Sequence, residues 1–395
     1  MKHFLMMVQL WCTVLVVQAQ DTTDLWQKAK QNPNLGRFKY LELKLHNGSH
    51  IYNGENMGEF LKHGYQSMEI RMGWQSTGAH DWQRALNYPS YGLGFYTGWI
   101  GEATILGNPS GLYGFFYAPL CRRKRHTFEA GLALGLTYDL NTYDKHTNPL
   151  NDAISSKVDV YFNLSIGGVW KASEIWDLTY GLDLTHFSNG RTHTPNLGLN
   201  MAGFNVGVRY HYNSIKRIVK KQIDSTYTAN IRPTFIVAPL KPLRQRNEVS
   251  IYGAFGVVQH DSRQNTSAFY GTASLVMDYS RRYSHIASFG AGLDGFYDGS
   301  LGYTYEQQYG GRVRTGDKML GGIHIGHALH LQRFDLVTQM GTYWYQRDDK
   351  KGSVFLRVGL RYNLHKNGFM QIGLKTLNGA KADWAEWGGG GKVAW

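Results

Sequence analysis

The chain has 395 residues, 42% of them hydrophobic and 14% aromatic, and 42 Lys+Arg against 29 Asp+Glu give a formal net charge of +13. That composition is too apolar for a disordered chain, and its 47 glycines lack the three-residue period of collagen. After the first twenty residues no apolar run reaches the about eighteen needed for a spanning helix, which excludes a helical membrane protein. A mean hydropathy of −0.39 does not exclude a membrane barrel, because alternating strands average out.

The first segment reads as an address label. Met1-Lys2-His3 gives a short positive start, Phe4 to Val17 is apolar apart from Gln9 and Thr13, and Val17-Gln18-Ala19 offers a small-residue cleavage site. This predicts a cleaved secretory signal over 1–19 and a mature chain that begins near Gln20. Cys121 is then the last cysteine, so no intramolecular disulfide can form.

The rest is written in twos. Between Lys157 and Trp170 the even positions carry Val158, Val160, Phe162, Leu164 and Ile166, and the odd ones Asp159, Asn163 and Ser165. Phe128 to Tyr138 and Ser353 to Leu364 repeat the pattern. Strand side chains point alternately to opposite faces, so each segment has one apolar and one polar face. Candidate strands lie near 38–46, 66–76, 91–100, 111–119, 126–138, 157–170, 175–188 and 201–212. Others lie near 247–258, 268–280, 284–297, 319–332, 335–346, 353–364, 369–377 and 382–395.

A soluble sandwich would bury the apolar faces between sheets; a membrane barrel would turn them to lipid. The secretion signal, the abundance of Tyr and Trp, the long strands and the glycine-rich end at Trp395 favour the barrel. The fold class is therefore all-β, a single transmembrane antiparallel outer-membrane barrel over 20–395 with about 14–16 strands. One segment, 214–246, breaks the rhythm with Lys216, Arg217, Lys220, Lys221, Arg232, Lys241, Arg244 and Arg246 and with Pro233, Pro239 and Pro242. It reads as a basic periplasmic connection.

The positive charge suits an anionic partner, and in a secreted barrel a phosphorylated lipid suits it better than nucleic acid. Zinc-ligand spacing, a phosphate loop and a dinucleotide fingerprint are all missing from the sequence, so no metal and no cofactor are expected.

The most informative stretch is 180–212. Tyr180, Leu182 and Leu184 form the apolar face of their strand, and parity puts His186 and Ser188 on that same face. The next strand's apolar set, Ala202, Phe204, Val206, Val208 and Tyr210, puts Asn200 on the lipid side as well. Ser188 is a candidate nucleophile, His186 its base and Asn200 the group that orients the imidazole. The same residues also read as polar groups at a strand's wet end, and parity leaves both readings open. Asn196-Leu197-Gly198 reads equally as a turn, and Arg191 and His193 as lipid-phosphate contacts or as solvated loop residues.

The run His186-Phe187-Ser188-Asn189, followed by Pro195-Asn196, Gly198 and position 200, resembles the lipid A 3-O-deacylase family (PagL type, acyloxyacyl hydrolase-like). The resemblance implies an outer-membrane barrel that hydrolyses an ester-linked acyl chain of lipopolysaccharide in the outer leaflet. It implies Ser188 as nucleophile and His186 as base. Oxyanion or substrate-positioning roles follow for Asn189, Gly190 and Asn196. The chain departs from the family where the triad acid is expected, since Asn200 stands there. An amide can hold the histidine tautomer but cannot neutralise an imidazolium with a full charge. The alternative function is a non-enzymatic barrel, a porin or structural protein on the same scaffold.

Overall fold

A computed structural model describes residues 27, 28, 31 and 38–395, apart from 53, 229, 261–267, 311 and 380. The expected signal over 1–19 lies outside the described residues. Among the described residues there are sixteen antiparallel strands, one for each candidate segment.

The expected single ring is instead two. Strands β1 (Phe38–Ile51), β2 (Tyr65–Gln75), β3 (Ser90–Trp99), β4 (Gly107–Arg122), β5 (His126–Leu140), β6 (Asp159–Lys171), β7 (Trp176–Ser188) and β8 (Leu199–Asn213) close one barrel. A second is closed by β9 (Asn247–Gln259), β10 (Phe269–Ser284), β11 (Ala287–Asp298), β12 (Met319–Leu331), β13 (Phe334–Tyr345), β14 (Val354–His365), β15 (Gly368–Leu377) and β16 (Lys381–Ala394). The first ring closes where β8 returns to β1, from Phe38↔Asn213 to Ile51↔Asn200. The second closes where β16 meets β9, from Trp387↔Phe255 to Ala394↔Glu248. Alternation sets which face a side chain takes, but closure is a long-range pairing that alternation does not encode.

The segment 214–246 is thus the connection between barrels, and it opens with a helix, Ser214–Gln222, whose N-terminus is capped by Asn213. The connection runs beneath the first barrel. Phe235 stacks on Tyr88 at 4.4 Å, and Arg232 pairs with Asp177 at 2.6 Å. Tight turns such as 285–286, 332–333 and 366–367 lie at this same end, together with the connection 76–89, and loops such as 141–158 and 189–198 lie at the other. In an outer-membrane barrel the short turns are periplasmic and the long loops extracellular.

Face assignment follows parity except at bulges such as the one between Pro119 and Cys121. In β7, Leu182 is 64% exposed while its neighbour Asp183 is 4% exposed. The outward residues meet lipid, and the inward ones fill the lumen, as eight strands leave room only for side chains. Arg71 centres the first lumen, bonding Glu69 at 2.8 Å and the hydroxyls of Tyr113 and Tyr117 at 2.9 Å each. Arg357 centres the second, bonding Glu386 and Asp294 at 2.8 Å each and Gln339 at 2.7 Å. The expected single ring is therefore replaced by two packed lumens.

Candidate active site

The outward stripe of β7 changes character at its extracellular end. Tyr180, Leu182 and Leu184 are exposed apolar residues, and His186 and Ser188 continue the same face under the cover of the loop 189–198. Phe187, between them, points into the core and is fully buried. Register places Asn200 of β8 directly opposite His186, and Val160 of β6 opposite Ser188.

His186 Nδ1 lies 2.7 Å from Asn200 Oδ1. An amide oxygen only accepts, so the imidazole carries its proton on Nδ1 and leaves Nε2 free as a base. Asp183 and Asp159 sit at odd positions and point inward, Asp183 to His46 at 2.9 Å. Among the described residues no carboxylate is bonded to His186, so Asn200 stands alone as its orienting group.

Ser188 is 6% exposed. Its Oγ accepts from the Gly190 backbone N–H at 3.2 Å and from Asn196 Nδ2 at 2.9 Å. Asn196 is aimed by its other end, because its Oδ1 accepts from the Asn189 backbone N–H at 3.4 Å. The Asn189 side chain turns away from Ser188. It donates to Ser155 Oγ at 3.3 Å and accepts from the His193 N–H at 3.3 Å, tying the loop to itself and to the neighbouring loop. No hydrogen bond joins His186 to Ser188 among the described residues; the two are adjacent on one face but not linked.

Two glycines make the arrangement possible. Gly198 has φ +72°, and a Cβ there would stand 2.8 Å from His186 Cε1 and 3.0 Å from Phe187 O. The loop backbone therefore lies against the imidazole and closes one side of it. Gly190, φ +64°, turns the chain immediately after the serine. Behind the loop, the Leu197 N–H donates to Asp152 O and the Gly198 N–H to Ala153 O, at 3.2 Å each. Tyr52 holds Asp152 at 2.7 Å; burial and that carboxylate raise the Tyr52 hydroxyl above its ordinary value, so it stays a donor. The part of loop 141–158 that supports the site carried no motif in the sequence.

Arg191 and His193 differ from both sequence readings. They face the second barrel, Arg191 against Asp383 at 3.3 Å and His193 against the Phe269 ring at 5.4 Å. His324 faces inward to Asp278 and Asp294 and His327 faces outward; among the described residues no group of three or more His, Cys, Asp or Glu is placed to hold a metal ion.

Comparison with known proteins divides the chain as the rings do. Residues 68–209 match the family model "Lipid A 3-O-deacylase (PagL)", and residues 247–395 match "Acyloxyacyl hydrolase, C-terminal domain". No curated protein matches the chain. Solved structures that resemble it include the Pseudomonas putida toluene transporter TodX (8% identity, 92% of this chain and 91% of that one, TM-score 0.18). Outer membrane phospholipase A from Escherichia coli (8%, 91% and 96%, TM-score 0.17) and Pseudomonas aeruginosa OccK11 (10%, 91% and 98%, TM-score 0.21) are others. The two family matches together span the second barrel and the first from β2 to β8, leaving out β1, and the chain belongs to the PagL-type lipid A 3-O-deacylase family of the bacterial outer membrane.

Proposed function

We propose that the protein is an outer-membrane serine esterase that removes an ester-linked acyl chain from lipid A or a related acylated lipid of the outer leaflet. The observation that carries the reading is the convergence of the Gly190 N–H and Asn196 Nδ2 on Ser188 Oγ, on the lipid-facing side of the barrel, beside a histidine oriented by Asn200.

The substrate's chain lies along the exposed apolar stripe of Leu182, Leu184, Phe204 and Val206, which brings its ester to the rim without leaving the membrane. Ester binding draws the Ser188 hydroxyl toward His186 Nε2, a contact of the kind that tightens only in the substrate complex. Ser188 Oγ attacks the acyl carbon as its proton passes to Nε2, and the two donors that now hold the serine oxygen serve the developing oxyanion. The carbon–oxygen bond to the sugar breaks, and the departing alkoxide takes the proton from His186. Water, deprotonated by the same Nε2, then releases the fatty acid and restores Ser188. Asn200 keeps the tautomer through these steps but does not neutralise the imidazolium, so turnover is slower than a carboxylate would give.

The test is mass spectrometry of lipid A incubated with refolded protein in detergent. Loss of one ester-linked acyl chain, abolished in Ser188→Ala with unchanged heat-modifiable migration, is the expected result. Full activity in Ser188→Ala sinks the reading, and no release from the wild type moves the assignment to a non-enzymatic barrel.

A further inference from the structure

His186 and Asn200 are fixed by the strand ladder of the first barrel, but the two donors on Ser188 are not. They belong to the loop 189–198, and that loop lies on the second barrel. Arg191 Nη1 reaches Asp383 Oδ1 of β16 at 3.3 Å. The Arg191 carbonyl accepts from the Gln259 N–H at the end of β9, also at 3.3 Å. Thr194 donates its N–H to Gln259 Oε1 at 2.8 Å and its hydroxyl to the His260 carbonyl at 2.9 Å. Gly190, whose N–H points at Ser188, packs so close to β16 that a Cβ there would stand 3.2 Å from the Ala385 methyl.

The anchor itself is rigid. Asp383 is fully buried, with Lys375 on one oxygen at 2.7 Å and Lys351 on the other at 2.6 Å. Lys351 is in turn paired with Asp298. A carboxylate gripped from both sides cannot rotate, so the guanidinium of Arg191 meets a fixed point.

We propose that the second barrel is the template on which the donor loop of the esterase site is set, with Arg191, Asp383 and Gln259 as positioning residues. They touch neither Ser188 nor the ester; they act by holding Gly190 and, through the loop, Asn196. This inference rests on the esterase reading above.

The experiment uses the full chain refolded in detergent and two readouts, lipid A turnover and the rate at which an alkyl fluorophosphonate labels Ser188. In labelling, Ser188 Oγ bonds to phosphorus, fluoride departs, and the serine proton passes to His186, so the rate reports the nucleophile and its donors without lipid A. Arg191→Ala and Gln259→Ala are compared with Arg191→Lys. Gln259→Ala leaves every buried ion pair in place, so a folded variant is available even if the arginine change disturbs the barrel. The expected result is a fall of kcat and of labelling rate in both alanine variants, by up to about 10²-fold with KM changed by less than about twofold, as for a misplaced catalytic group. Arg191→Lys restores most of both rates. Wild-type rates in the two alanine variants overturn the inference. A wild type that neither labels nor releases acyl chains overturns the esterase reading on which it rests, a separate and distinguishable outcome.

Discussion

The two barrels are built alike, and the proposed chemistry lies on one of them. Each has eight strands, an apolar outer face and a lumen organised around one fully buried arginine, Arg71 in the first and Arg357 in the second. Each also turns a histidine toward the lipid side. In the second barrel this is His327, near the short-turn end, 2.9 Å from the Tyr283 hydroxyl among aromatic neighbours. In the first it is His186, at the long-loop end, with Ser188 two residues on and Asn200 across the ladder. Charged groups inside a barrel of this size are architecture. Function is to be sought where polar groups interrupt the apolar stripe and a loop folds over them.

The sharpest way to break this comparison is to remove the chemistry from one rim. Ser188→Ala and His186→Ala should each lower acyl release by about 10²-fold or more, the part of a triad's contribution that remains where no carboxylate serves the histidine. Barrel migration on gels should be unchanged. The lumens, in contrast, should respond equally. Arg71→Ala leaves Glu69 to His46 and Tyr161, and Arg357→Ala leaves Asp294 to His324 and Glu386 to Ser274, so each breaks a buried ion pair and should cost about 3–5 kcal/mol in urea unfolding. A large effect in one barrel alone would show that the two networks are not equivalent.

Smaller changes sharpen the account of the first rim. Asn200→Ala should reduce kcat by about 10²-fold, the lower end of what a general base contributes, while Asn200→Glu should raise kcat above the wild type. An Asn200→Ala enzyme with wild-type kcat would remove Asn200 from the mechanism. Gly198→Ala forces an alanine into a left-handed conformation at about 1–2 kcal/mol and pushes on the imidazole, so activity should fall more than stability does. His327→Ala should leave acyl release unchanged; a loss there would mean that the second barrel carries chemistry of its own.

Much of this was legible in the sequence because a strand's period is two. Val160 and Asp159 declare opposite faces without any structure, and all sixteen strands lie where the alternation put them. The same parity placed His186, Ser188 and Asn200 on one face, and the register then set His186 opposite Asn200. Ring closure was not legible, because the pairing of Phe38 with Asn213 depends on which strands meet, not on how they alternate. A signal was nonetheless present: the basic, proline-rich stretch 214–246 divides the strands eight and eight. The contacts of Arg191 were hidden for the same reason, since its partner Asp383 lies on a strand of the other ring.

The most direct test of the central claim, that Ser188 on the lipid-facing rim is the nucleophile, is to trap the covalent intermediate. Wild-type protein is mixed with lipid A, quenched in acid, digested and mapped by mass spectrometry. The account predicts a fatty-acyl ester on the peptide that carries Ser188, absent when the mixture is made with Ser188→Ala. Acyl release that continues in Ser188→Ala, with no adduct on that peptide in the wild type, would contradict it.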